Sequence, residues 1–188
     1  MSFTKSIPTH PKDIHRILTS WSSTKKLLFM ALMAALAAIL QSAGGFLPGI
    51  GYAISPFATA PILLVALMAL RSGIFTYIVT ICLLVLIEPS ELVIFPFTTG
   101  LLGLGLGWSF HLLSKRSEII ITNALLLSIG ICTPLYVFGF PVFGPTVSSS
   151  FNPAVLLIIF IFSLLYSWVW MELGLFILRR IKAFLVLK

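Results

Sequence analysis

The stretch KKLLFMALMAALAAIL, Lys25 to Leu40, decides the fold. Two lysines precede fourteen residues that hold neither a charge nor a proline, and together with the residues that follow they make a helix long enough to cross a bilayer. Ala31, Ala34, Ala35 and Ala38 recur at spacings of three and four, so one face of that helix carries only methyl groups. Lipid has no need of such a face. Another helix does, because small side chains let two backbones approach closely.

The rest of the chain has the same character. Of 188 residues, 59% are hydrophobic and 9% charged, with a mean hydropathy of +1.13; that much apolar surface cannot be hidden from water by folding 188 residues on themselves. The composition predicts an all-α polytopic membrane protein, a six-helix transmembrane bundle. The ten-residue alternation of a transmembrane barrel is absent from the sequence. The predicted spans are about 26–47, 53–70, 74–87, 92–113, 119–138 and 154–178, within a transmembrane domain of 25–182 between an N-terminal segment 1–24 and a tail 183–188. Residues 1–24 carry Lys5, Lys12, Arg16 and two prolines before any apolar run, which reads as a retained segment rather than a cleaved signal peptide.

The net charge of +7 is not gathered into a soluble basic face, so no nucleic-acid partner is expected. Instead, with the N-terminus inside, every lysine and arginine falls on the cytoplasmic side of the predicted spans: the N-terminal segment, Arg71, Lys115 with Arg116, and Arg179, Arg180, Lys182 and Lys188. This is the positive-inside pattern. It predicts cytoplasmic N- and C-termini and a multi-pass protein of a bacterial-type plasma membrane. Ser72 and Gly73 are expected to make the tight turn after the second span. Pro134 is expected to kink the fifth, and Gly139 to Pro153 to form the longest outer loop.

Cys82 and Cys132 fall in apolar spans and read as small buried hydrophobes; no metal site is expected. The sequence holds no HExxH, GxSxG or phosphate loop, so the chain is expected not to be an enzyme and to bind no cofactor of its own. Gly100, Gly103 and Gly107 on one side of the fourth span, and Ser163 and Ser167 on one side of the sixth, read as internal packing faces. Glu172 is assigned to structure or to a cytoplasmic coupling surface. Trp168 and Trp170 read as belt or lipid-facing residues, and His111 as interfacial.

A basic pair, an apolar first helix with overlapping small-xxx-small pairs (Ala31 with Ala35, Ala34 with Ala38), a Gly/Pro-rich first outer loop and six spans in fewer than 200 residues resemble the substrate-binding S component of an energy-coupling factor (ECF) vitamin transporter. The resemblance implies that Ala31, Ala34, Ala35 and Ala38 dock on a transmembrane coupling subunit driven by two cytoplasmic ATPases, with ATP used by those partners. It also implies a ligand held in the outer half of the bundle. Gln41, Tyr52, Glu88, Glu91, Phe95 and Asn152 are the residues that could line such a site, with Ser42 and Tyr136 beside them. Aromatic rings, amides and carboxylates without a basic side chain favour a neutral or cationic vitamin-like molecule, although helix N-termini also hold anions. Asn152 before Pro153 doubles as a helix cap. The competing expectation is a scaffold protein of the cell envelope, whose small-residue faces serve assembly without a ligand.

Overall fold

The computed structural model describes residues 21–47, 49–140 and 152–186. The expectations for 1–20 and for most of the Gly139 to Pro153 loop lie outside the described residues. The described chain forms helices α1 (Ser23–Phe46), α2 (Gly51–Met68, with a 3-10 turn at Ser55–Ala58), α3 (Leu70–Ile87), α4 (Thr99–Leu112), α5 (Arg116–Val137) and α6 (Pro153–Val186). All of these except α4 are long and apolar enough to cross a membrane. The chain is an all-α membrane protein.

Local chemistry explains where the helices begin and end. Ser22 accepts a hydrogen bond from the Lys25 amide at 3.4 Å and caps α1. The turn after α1 uses Gly49 at φ +80°, a left-handed conformation that glycine adopts without strain. Gly51 then passes so close to the Ala43 carbonyl that any side chain there would fall on it. Asn152 caps α6 through a 2.9 Å bond from the Ala154 amide, with Pro153 as the first helical residue.

Two boundaries differ from the expectation. Between α2 and α3 the break is a single extended residue, Ala69 (φ −159°, ψ 122°), while Ser72 and Gly73 lie inside the first turn of α3. Gly73 is needed for packing rather than turning: an added Cβ would stand 2.6 Å from the Ala66 side chain. The fourth apolar stretch is helical only from Thr99. Residues Pro89–Val93 form a 3-10 turn, and turns continue to Thr98, because Pro89 and Pro96 cannot donate to an α-helical ladder. The α6 helix also runs on past the expected limit at Leu178, through to Val186.

α4, with 14 residues, rises only about 21 Å, yet it joins the two ends of the bundle. Thr99 at its start bonds to Gln41 near the end of α1, and His111 near its finish lies 3.1 Å from the Ala66 carbonyl near the end of α2. Glycines make the crossing possible. Gly100 faces Phe95 and Tyr77, Gly103 faces Ile62 and the Thr59 carbonyl, and Gly107 faces Ala66. α4 therefore seats against α2 as a backbone-to-backbone contact, in keeping with the packing role expected of these residues.

α2 and α4 form the middle of the bundle, with α1 and α3 on one side and α5 and α6, tightly paired, on the other. The core is apolar, built around Leu63, Leu67, Leu102, Leu106 and Phe110. Hydroxyls along the helices return hydrogen bonds to carbonyls one turn back, as Ser42 does to Ala38, and Ser128 to Ala124, so they need no solvent. Thr80 bonds to Thr76 and also reaches the Ala34 carbonyl on α1 at 3.4 Å.

At the end that carries the described lysines and arginines, Arg116 and Glu172 pair at 2.9 Å and tie α5 to α6. Glu172 thus has a structural partner. Trp170 is buried at 4% exposure, edge-on to Phe57 and Tyr166, which corrects its reading as a belt or lipid-facing residue. Cys82 is exposed and Cys132 only partly buried, so Cys82 sits on the outer surface of the helices rather than in the core.

Candidate functional site

At the opposite end of the bundle three elements remote in sequence meet around Gln41. Its Nε2 donates to Glu91 Oε2 at 2.7 Å, and its Oε1 accepts from Thr99 Oγ1 at 2.6 Å. Both amide groups are thereby used, which fixes the orientation of the side chain. Gln41 is 1% exposed, Glu91 5% and Thr99 8%. α1 supplies Gln41 near its end, α4 begins at Thr99, and the link between α3 and α4 folds Glu91 back onto α1.

Glycine at position 44 makes this approach possible: a Cβ there would lie 2.7 Å from Glu91 Oε1. Glu88 lies against Gly45 in the same way and accepts a 2.6 Å bond from Ser90. Burial raises the Glu91 carboxyl above its ordinary range, with the Gln41 bond opposing and the Glu88 charge adding to the effect. Beside this cluster Phe95, fully buried, stacks on Tyr77 with ring centroids 5.7 Å apart. The Tyr77 hydroxyl donates to the Pro96 carbonyl at 2.9 Å, so the ring pair also anchors the link.

The structure thus brings together Gln41, Glu88, Glu91 and Phe95. Tyr52 stands apart, 71% exposed at the start of α2. Asn152 is exposed and occupied as the α6 cap. The alanine face divides. Ala34 and Ala38 are at 0% exposure within the bundle, whereas Ala31 is exposed and Ala35 partly so, beside the exposed Leu28 and Leu32.

Comparison with family models, curated proteins and solved structures returns no match to this chain. Its site is therefore read from its own geometry.

Of a second set of polar groups, Tyr136 alone was expected from the sequence to line a ligand site. The hydroxyls of Thr59 on α2, Tyr136 on α5, and Ser163 and Ser167 on α6 are buried without a hydrogen-bond partner among the described residues. An unpaired buried hydroxyl costs on the order of 1–3 kcal/mol. In sequence, Thr59 and the two serines look like any hydroxyl residue of an apolar helix, most of which bond back to their own helix. The absence of that back-bond is visible only in three dimensions.

Proposed function

We propose that this chain is the membrane-embedded substrate-binding subunit of an uptake system for a small vitamin or vitamin precursor. It works with an ATP-driven coupling module made of a transmembrane coupling subunit and two cytoplasmic ATPases, as in the ECF transporters it resembles. One observation carries the reading: four buried hydroxyls on α2, α5 and α6 lack partners among the described residues, and a ligand bearing several donors and acceptors would supply them. The Gln41, Glu91 and Phe95 group adds a carboxyl and an aromatic ring at the end of the bundle where α5 finishes, with Phe97 of the link against Phe138. Together these favour a neutral or cationic ring compound.

In this reading the chain crosses a bacterial-type plasma membrane six times. The fourth crossing combines the short α4 with Leu92 to Thr98 before it, whose non-helical backbone is shielded by protein. The basic end lies in the cytoplasm with both termini, and the Glu91 end faces outward.

Native mass spectrometry of the full chain in lipid nanodiscs, prepared from cells without added ligand, is expected to reveal a bound small molecule. Thr59→Val and Tyr136→Phe each delete one orphaned hydroxyl with little change of shape. They are expected to weaken binding by about tenfold each while leaving the ligand-free protein as stable or more so. Higher stability with no bound molecule in the wild type would instead identify a scaffold protein of the cell envelope.

The docking face follows the burial pattern. Ala31 and Ala35 are its accessible members, and Ala34 and Ala38 shape α1 from inside. Ala31→Trp combined with Ala35→Trp is expected to abolish co-purification with the coupling subunit and to leave ligand binding intact. Unchanged complex formation would remove this face from the proposal.

A further inference from the structure

The link from Glu88 to Thr98 is held on α1 through one carboxyl group. Glu91 Oε2 accepts a single hydrogen bond, from Gln41, whose amide is held in place by Thr99. Glu91 Oε1 lies against the bare backbone of Gly44. The groups facing it carry no compensating charge. α1 presents Gln41, Gly44 and Gly45; the start of α2 presents Ser55, with Tyr52 exposed beyond it; α3 contributes Tyr77 and α4 contributes Thr99. The link itself adds a second carboxylate, Glu88. Every described lysine and arginine, and His111, belong to the other end of the bundle.

Ionising a carboxyl in such a place is unfavourable unless the structure relaxes to bring in water or a cation. The cheapest relaxation is local. Up to Phe95 the link has no α-helix and its backbone bonds are short-range ones such as Ile94 N to Glu91 O at 3.1 Å and Phe95 N to Glu91 O at 2.8 Å; beyond that point the Tyr77 to Pro96 bond and the seat of Phe97 against Gly130 and Phe138 hold it in place.

We propose that Glu91 is a proton-operated latch: protonated, it keeps the Glu88 to Phe95 part of the link seated on α1, and ionised beside Glu88 it releases that part and lets Phe95 leave the Tyr77 ring. The direction follows from the raised carboxyl. A folded-state proton affinity above the unfolded one makes the seated state most stable in acid, and that contribution is lost as pH rises through the raised value. The latch concerns the link alone and stands whether or not the chain carries a ligand.

Hydrogen exchange of the full chain in nanodiscs tests it. After correction for intrinsic rates, the Ile94 and Phe95 amides are expected to exchange at least about tenfold faster at about pH 9 than at about pH 5, a window that spans known buried carboxyls. Glu91→Gln keeps the shape and removes the titration, so exchange is expected to stay slow throughout. Glu88→Gln removes the neighbouring charge at a partly exposed position, and the opening at about pH 9 is expected to shrink. A wild-type profile without a break, the same break in Glu91→Gln, or an opening at about pH 9 undiminished by Glu88→Gln would each overturn the proposal.

Discussion

Gly130→Ala is expected to remove most of the folded protein. In an ordinary helix this substitution stabilises by about 1 kcal/mol. At position 130 the added methyl would fall on the backbone carbonyl oxygen of Phe97 and approach Leu101 Cδ2 at 3.1 Å. A flexible side chain could swing away, but the Phe97 backbone cannot easily do so. It lies in the link, where the Phe97 amide bonds to the Ile94 carbonyl and the neighbouring Pro96 carbonyl accepts from Tyr77. Separating α5 from the link would cost packing along both, at or beyond the usual overpacking penalty of about 3 kcal/mol. Gly45→Ala is the matched comparison. It meets the mobile end of Glu88 on a more exposed surface and is expected to be tolerated. Unfolding in mixed micelles, followed by circular dichroism, measures both; equal stability of the two variants would mean that α5 can shift off the link freely.

Gln41→Leu is expected to cost about 3 kcal/mol at neutral pH, because it strips a buried carboxyl of its donor and leaves the Thr99 hydroxyl without its acceptor. Glu91→Leu alone is expected to cost less, about 1–3 kcal/mol, since it leaves only the Gln41 amide group unpaired. The double variant removes both needs together. It is expected to be more stable than the sum of the single losses predicts, with a coupling of at least about 1 kcal/mol. A coupling near zero would mean that the two residues contribute separately, despite their contact.

Much of the architecture could be read from hydropathy, since apolar length alone separates α1, α2, α3 and α5 to within a few residues and locates the start of α6. The fourth stretch could not be read this way. Leu92 to Thr98 is as apolar as a helix, but it is a link buried against protein, and the sign was Pro96 within the run rather than any change of hydrophobicity. The Ser72–Gly73 pair misled for a related reason: a glycine after a serine suggests a turn, whereas Gly73 is required by the approach of Ala66.

The site was legible in its parts and hidden in its assembly. Gln41 near the end of an apolar helix called for a partner, and it has one in Glu91, 50 positions away. No spacing in the sequence indicates that pairing, which depends on how the link folds back. Tyr52 and Asn152 had the right chemistry and the right end of the molecule, yet one is exposed and the other is spent as a cap. The alanine spacing marked a packing face, but which alanines remain accessible depends on where α3 lies. That is a tertiary fact.

The single extended residue at Ala69 has a consequence for how the protein is made. α2 and α3 run antiparallel with no polar loop between them, so neither can settle across a bilayer while the other waits in water. During synthesis the pair has to pass from the insertion machinery into lipid as one hairpin, with Gly73 already against Ala66. An insertion of even a few polar residues at Ala69 would let the two helices partition one after the other, and the cost would then appear in biogenesis rather than in the finished fold.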